Sequence, residues 1–146
     1  MIWLLRHGDA EDDAPGAGGD AERRLTEKGR RQARAAGKAL NALGADLKAC
    51  LASPKVRALE TAELACKALD LEAELDDRLR GGGFDPNDLA AGRGDVLLVG
   101  HEPDLSDAIA ALTGARVKLR KGGLAALDGR LLHVLVRPKE LEEIGR

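Results

Sequence analysis

The chain of 146 residues carries 23 Lys and Arg against 25 Asp and Glu, a formal charge of −2, and holds only one Trp and one Phe as aromatic residues. A protein that binds phosphate backbones usually shows a basic excess, and single-stranded nucleic acid needs several stacking rings, so composition argues against a nucleic-acid binder. The length fits one domain spanning residues 1–146 with a core that needs no staples.

The apolar fraction is 44%, drawn mainly from Ala and Leu, which favours helices covering a small sheet over an all-β sandwich. The first apolar run, 1-MIWLL-5, reads as a strand buried on both faces and ends at Arg6. Residues 10–22 mix acids, Gly and Pro without periodicity and read as a mobile surface loop. From Thr26 to Leu43, Ala33, Ala36, Leu40 and Leu43 recur at helical spacing, with Thr26 as N-cap and Gly44 as stop. A strand follows at 49-ACLA-52, and Ser53-Pro54 reads as N-cap and first residue of a helix striped by Val56, Leu59, Ala62, Cys66 and Leu69, with Arg57 off that stripe. Ala73 to Leu75 allow a short strand, Asp85-Pro86 opens a short helix, and 96-VLLV-99 is the clearest buried strand. A helix from Pro103 to Thr113 turns Leu105, Ile109 and Leu112 inward. The chain closes with a hairpin turning at Asp128-Gly129, in which His133 is an ordinary strand residue, and a helix begun by Pro138. Alternating strands and helices predict an α/β three-layer sandwich with a mostly parallel central sheet, helices on both faces and one antiparallel member from the hairpin. Cys50 and Cys66 fall inside apolar patterns and read as buried thiols of a reducing compartment; no run is long enough to cross a membrane and no signal peptide precedes the first strand, so a cytoplasmic protein is expected.

Three of these strands end in chemically capable residues: Arg6-His7-Gly8, then Ser53-Pro54 leading to Arg57, then Gly100-His101-Glu102. In an open parallel sheet the crevice beyond the carboxyl ends of the strands is where ligands bind, so two Arg and two His should meet there. Arg offers phosphate oxygens a rigid fork of donors, and the helices after Ser53 and His101 would turn their positive ends toward the same crevice. A neutral histidine among these cations is able to attack phosphorus. Taken singly, Arg57 reads as a solvated helix residue and His101 as a satisfied turn histidine; it is their coincidence at one sheet edge that points to phosphoryl chemistry.

The strings 4-LLRHGDAE-11, 23-RRLTEKG-29, 53-SPKVRALETA-62 and 98-LVGHEPDLS-106 closely resemble the histidine phosphatase superfamily and, within it, the small SixA-type phosphohistidine phosphatases. The resemblance implies that His7 is the phosphorylated nucleophile and that Arg6, Arg57 and His101 form the phosphate pocket, with Arg23 at its rim and Gly8, Ser53 and Glu102 contributing to substrate binding. It implies no metal and no cofactor. Mutases and phosphomonoesterases of that superfamily place a Glu shortly after the third strand as proton donor; here 79-LRGGGF-84 has Gly81 there, and Asp76, Asp77, Asp85 and Asp88 are the remaining acids nearby. That absence favours a phosphohistidine substrate, whose imidazole accepts a proton on its own ring, over a phosphate ester. The expected partner is therefore a phosphorylated protein. A small phosphate ester is the alternative substrate, a non-catalytic phosphate-binding module the alternative class, and a metal-dependent phosphatase built on His7, Asp9, Glu11 and His101 a third reading.

Overall fold

The structure is a computed structural model and describes residues 1–14, 16 and 18–146. Its elements in chain order are β1 (Ile2–Arg6), α1 (Glu27–Ala42), β2 (Ala49–Ala52), α2 (Val56–Lys67), β3 (Ala73–Leu75), α3 (Pro86–Ala90), β4 (Val96–Gly100), α4 (Asp104–Thr113), β5 (Leu124–Asp128), β6 (Leu131–Val136) and α5 (Pro138–Ile144). The six strands form one sheet in the order β3-β2-β4-β1-β5-β6. Pairings among β1, β2, β3 and β4 are parallel, and β5 runs antiparallel to both of its neighbours. This is the mostly parallel sheet with one reversed strand that the alternation of elements predicts.

Successive residues of the central strands divide between two cores, as a period of two requires. Trp3, Leu5, Cys50, Ala52, Leu97, Val99, Leu124 and Ala126 face the layer made by α1, α2 and α5. Leu4, Leu51, Leu98, Ala125 and Leu127 face the layer with α3 and α4, where Leu89, Leu105 and Ile109 fill the core. Both cysteines are unbonded and lie buried in the first of these cores.

Local boundaries follow the side chains available. Thr26 caps α1 by accepting the Gly29 N–H at 3.1 Å, and Asp85 caps α3 by accepting that of Asn87 at 2.9 Å. The hairpin turns at Gly129, at φ +60°. Leu43, the residue after α1, is exposed. One expectation is corrected. Helix α2 begins at Val56 with Lys55 as its cap residue, so Pro54 lies outside it and Ser53 is not its N-cap. Of the 10–22 segment, Ala10 bridges to Leu25 and Asp20–Glu22 form a 3₁₀ turn; the mobility expected of that loop rests partly on positions 15 and 17, which lie outside the described residues.

Candidate active site

Register brings the predicted residues together. Arg6 pairs with Gly100 and Ala52 with Val99, so β1, β2 and β4 end level with one another. The chain continues in hydrogen-bonded contact past each end: His7 N–H donates to Gly100 O at 3.1 Å and Ser53 N–H to Val99 O at 3.0 Å. His7 and His101 consequently stand side by side, with ring centroids 5.3 Å apart.

His7 Nδ1 lies 2.7 Å from the Gly8 carbonyl oxygen. A carbonyl can only accept, so Nδ1 carries the proton and the lone pair is left on Nε2. Burial pushes the His7 pKa down to about 4, and the charges of Arg57, Arg6 and Lys121 act in the same direction against the opposing Gly8 bond. The ring is thus neutral and fixed in one tautomer near neutral pH. Its neighbour is held as firmly. Gly8 N–H donates to Thr61 Oγ at 3.0 Å, and the same hydroxyl donates to the Arg57 carbonyl at 2.7 Å, one helical turn back. A Cβ at Gly8 would come within 2.6 Å of the Gly29 carbonyl oxygen, so only glycine lets α1 dock on this loop.

His101 Nε2 meets Ser53 Oγ at 2.8 Å across 48 residues of sequence, and Ser53 Oγ also accepts the Lys55 N–H at 3.2 Å. Ser53 Oγ thus joins His101 to the backbone just ahead of α2, which starts at Val56, two residues later than its sequence suggests. Burial pushes the His101 pKa down to about 3, with His7, Arg57 and Lys55 as further causes.

Arg57 is buried in the first turn of α2, although the sequence places it off the apolar stripe. Its nearest anion is Asp20: Arg57 donates to the Asp20 carbonyl at 2.9 Å and to its carboxylate at 3.2 Å. Arg23 Nε donates to the same carboxylate at 3.0 Å and Lys55 Nζ lies 3.6 Å away. Arg23 therefore joins Arg57 through a shared acid. Asp20 is held below the usual carboxylate range by Arg57 and Arg23, against the opposing effect of desolvation. Arg6 reaches the Leu119 carbonyl at 2.9 Å.

Glu102 stands next to His101, but its carboxylate accepts the Ser106 N–H at 2.9 Å in the first turn of α4. Of the acids following β3, Asp76 binds Arg78, which holds its carboxyl below the ordinary range, and Asp77 binds Arg80 at 3.3 Å. Asp85 is used as the cap of α3. Among the described residues no three His, Cys, Asp or Glu side chains gather as a metal cage, and His7, Asp9, Glu11 and His101 do not form one.

Arg6 Nε, Arg57 Nε and His101 Nδ1 are buried nitrogens with no hydrogen-bond partner among the described residues; the remaining such atom, Trp3 Nε1, belongs to the core. Unmet buried polar atoms are costly, so a site with two such arginine donors and a histidine ring nitrogen beside a neutral histidine is suited to a guest rich in acceptor oxygens. The sequence model of the Histidine phosphatase superfamily (branch 1) matches residues 2–85. The chain belongs to the histidine phosphatase superfamily. An uncharacterized protein of Picosynechococcus sp. is 33% identical over 138 residues, covering 86% of this chain and 83% of that protein. The mitochondrial serine/threonine-protein phosphatase Pgam5 of Drosophila melanogaster is 41% identical over 73 residues, which are 50% of this chain and 24% of that protein. The protein histidine phosphatase SixA, solved in complex with tungstate, superposes with a TM-score of 0.80 at 26% identity over 96% of this chain and 98% of its own. Family and neighbours together support phosphatase activity.

The motif-bearing positions Arg6, His7, Gly8, Ser53, Arg57 and His101 all lie at this one end of the sheet. Two contributors escaped sequence reasoning. Thr61 was detectable as a hydroxyl four residues after Arg57 on the same helix, whereas nothing local marks Asp20 as the acid that Arg57, Arg23 and Lys55 share.

Proposed function

We propose that this protein is a metal-independent phosphohistidine phosphatase acting on a phosphorylated protein through a covalent phospho-His7 intermediate. The observation that carries the reading is the neutral His7, its tautomer set by Gly8, standing among Arg6, Arg57 and His101. The Nε2 lone pair attacks phosphorus, forming an N–P bond as the substrate's own N–P bond breaks, and the departing imidazole takes a proton from solvent water on its ring. Arg6, Arg57 and His101 hold the oxygens over which charge is spread in the transition state. Water then attacks phospho-His7, the N–P bond to His7 breaks, and inorganic phosphate leaves. The positive side chains supply the stabilisation that a divalent ion gives elsewhere.

The choice of an N–P substrate is supported by the acids near the site. Gly81–Gly83 offer no carboxylate, Asp76 and Asp77 are ion-paired, Asp85 is a helix cap, and Asp88 is exposed on α3. Protonating an alkoxide leaving group needs a general acid worth about 10²–10⁴-fold, and an imidazole does not. The relationship to Pgam5 favours a second reading, hydrolysis of a phosphate ester, small or protein-borne. A panel comparing a phosphohistidine protein with phosphoserine peptide, sugar phosphate and nucleotide separates the two. Faster turnover of the phosphohistidine protein, with ³²P trapped on wild type and absent from His7→Ala, is the expected result. Faster turnover of the esters would overturn the substrate class, and phosphate binding without any labelling would reduce the protein to a binding module.

A further inference from the structure

Beside the catalytic pocket lies a cleft of about 650 Å³ whose lining is strongly basic. Lys28 and Arg31 stand on the first turns of α1, Lys118 and Arg120 on the segment before β5, and Lys139 on the first turn of α5. All five are exposed, and none forms an ion pair among the described residues. Only Asp9, which takes Lys121 at 3.7 Å, and Glu142 oppose them. In a chain of net charge −2 this is a marked concentration of positive charge. The cleft is continuous with the catalytic pocket: Arg6 lines both, and its guanidinium is tied to the Leu119 carbonyl on the cleft wall.

We infer that this cleft docks an acidic segment of the phosphoprotein substrate, flanking the phosphorylated residue. The inference rests on the phosphoprotein reading above. A concave patch of one sign beside a reactive pocket raises the local concentration of an oppositely charged partner and steers it onto the site. The occupant must also carry the phosphoryl group, because the cleft opens onto Arg6. An acidic polypeptide fits better than a nucleic acid: Trp3 and Phe84 are both packed into the cores, so the cleft has no ring on which a base could stack. The positive charges come from three elements far apart in sequence and surround a pocket, whereas a backbone-tracking site would be a stripe.

Two peptides phosphorylated on histidine, one flanked by Glu and Asp and the other by Gln and Ser, serve as probes, with phosphoramidate as a substrate too small to reach the cleft. At low salt the acidic peptide is expected to be turned over with a kcat/KM about tenfold or more above that of the neutral peptide, the difference residing in KM and fading as salt shortens the Debye length from about 30 Å at 0.01 M to about 10 Å at 0.1 M. The variant K118E/R120E/K139E should lose this preference while hydrolysing phosphoramidate as wild type does, and K28E/R31E, altering the other wall, should reproduce the loss. Equal turnover of the two peptides, or a preference that survives both variants, overturns the inference. Fluorescence anisotropy of the unphosphorylated acidic peptide reads docking without chemistry: binding that both variants weaken upholds the docking site even if no phosphohistidine substrate is turned over. A labelled oligonucleotide that binds wild type more tightly than this peptide would assign the cleft to nucleic acid and overturn it.

Discussion

Burial of two neutral histidines ties the chemistry of the site to the stability of the fold. Unfolded, His7 and His101 titrate near pH 6.5; folded, they titrate at about 4 and about 3. Well above pH 6.5 neither state binds these protons and stability is unaffected. As pH falls below 6.5 the unfolded chain takes up protons that the folded protein refuses, so stability drops, and the drop ceases only once pH passes below the folded values. At pH 5.5 each ring costs about 1.4 kcal/mol, about 3 kcal/mol together. This figure is insensitive to the folded values, since both lie well below 5.5. Against a total stability of about 5–15 kcal/mol the loss is large, and with a urea slope near 2 kcal/mol/M it moves the midpoint by about 1.5 M. Urea unfolding at pH 7.5 and 5.5, on wild type and on His7→Gln/His101→Gln, measures it. Carboxylates are already ionised in the unfolded chain across this window, and His133 is common to both proteins, so the difference between them isolates the two rings. The double variant should lose most of the pH dependence; if its midpoint falls between pH 7.5 and 5.5 as far as that of wild type, the two rings are not held neutral by burial.

Thr61→Val removes the acceptor of the Gly8 N–H and the donor to the Arg57 carbonyl from a fully buried position. It should cost about 1–3 kcal/mol by urea denaturation and lower kcat more than it raises KM, with recovery in Thr61→Ser; unchanged kcat in a folded Thr61→Val would deny Thr61 a part in positioning His7 and Arg57. Asp20 is the more exposed partner of the pair, its side chain 58% exposed where that of Arg57 is 6%. Because its carboxylate takes donors that an anion would use, Asp20→Asn should tighten competitive inhibition by inorganic phosphate about fivefold, equivalent to about 1 kcal/mol. Weaker inhibition would instead make Asp20 the residue that orients Arg57.

Much of the architecture was legible because its signals are local. The runs 1-MIWLL-5 and 96-VLLV-99 are apolar on both faces, and only a strand between two helical layers can bury such a run. Thr26, Asp85 and Pro138 begin helices with their own side chains or ring, so their positions follow from chemistry within one turn. The candidate site was legible for a related reason: its residues sit directly after strand ends, and parallel strands carry whatever follows them to one edge.

What the sequence determined by itself is therefore the alternation of elements, the double-sided burial of the sheet and the set of side chains delivered to its carboxyl end. Tertiary structure decided the rest, because the deciding contacts join residues far apart in the chain. Ser53 meets His101 across 48 residues of sequence, and Arg57 is buried beside Asp20, 37 residues away. His7 and His101 are neutral because of what surrounds them, and a near-zero net charge separates into one basic cleft only when α1, α5 and the segment before β5 pack side by side. Propensity and periodicity act over a few residues; desolvation and electrostatic fields sum over everything within about 10 Å, whatever its place in the sequence.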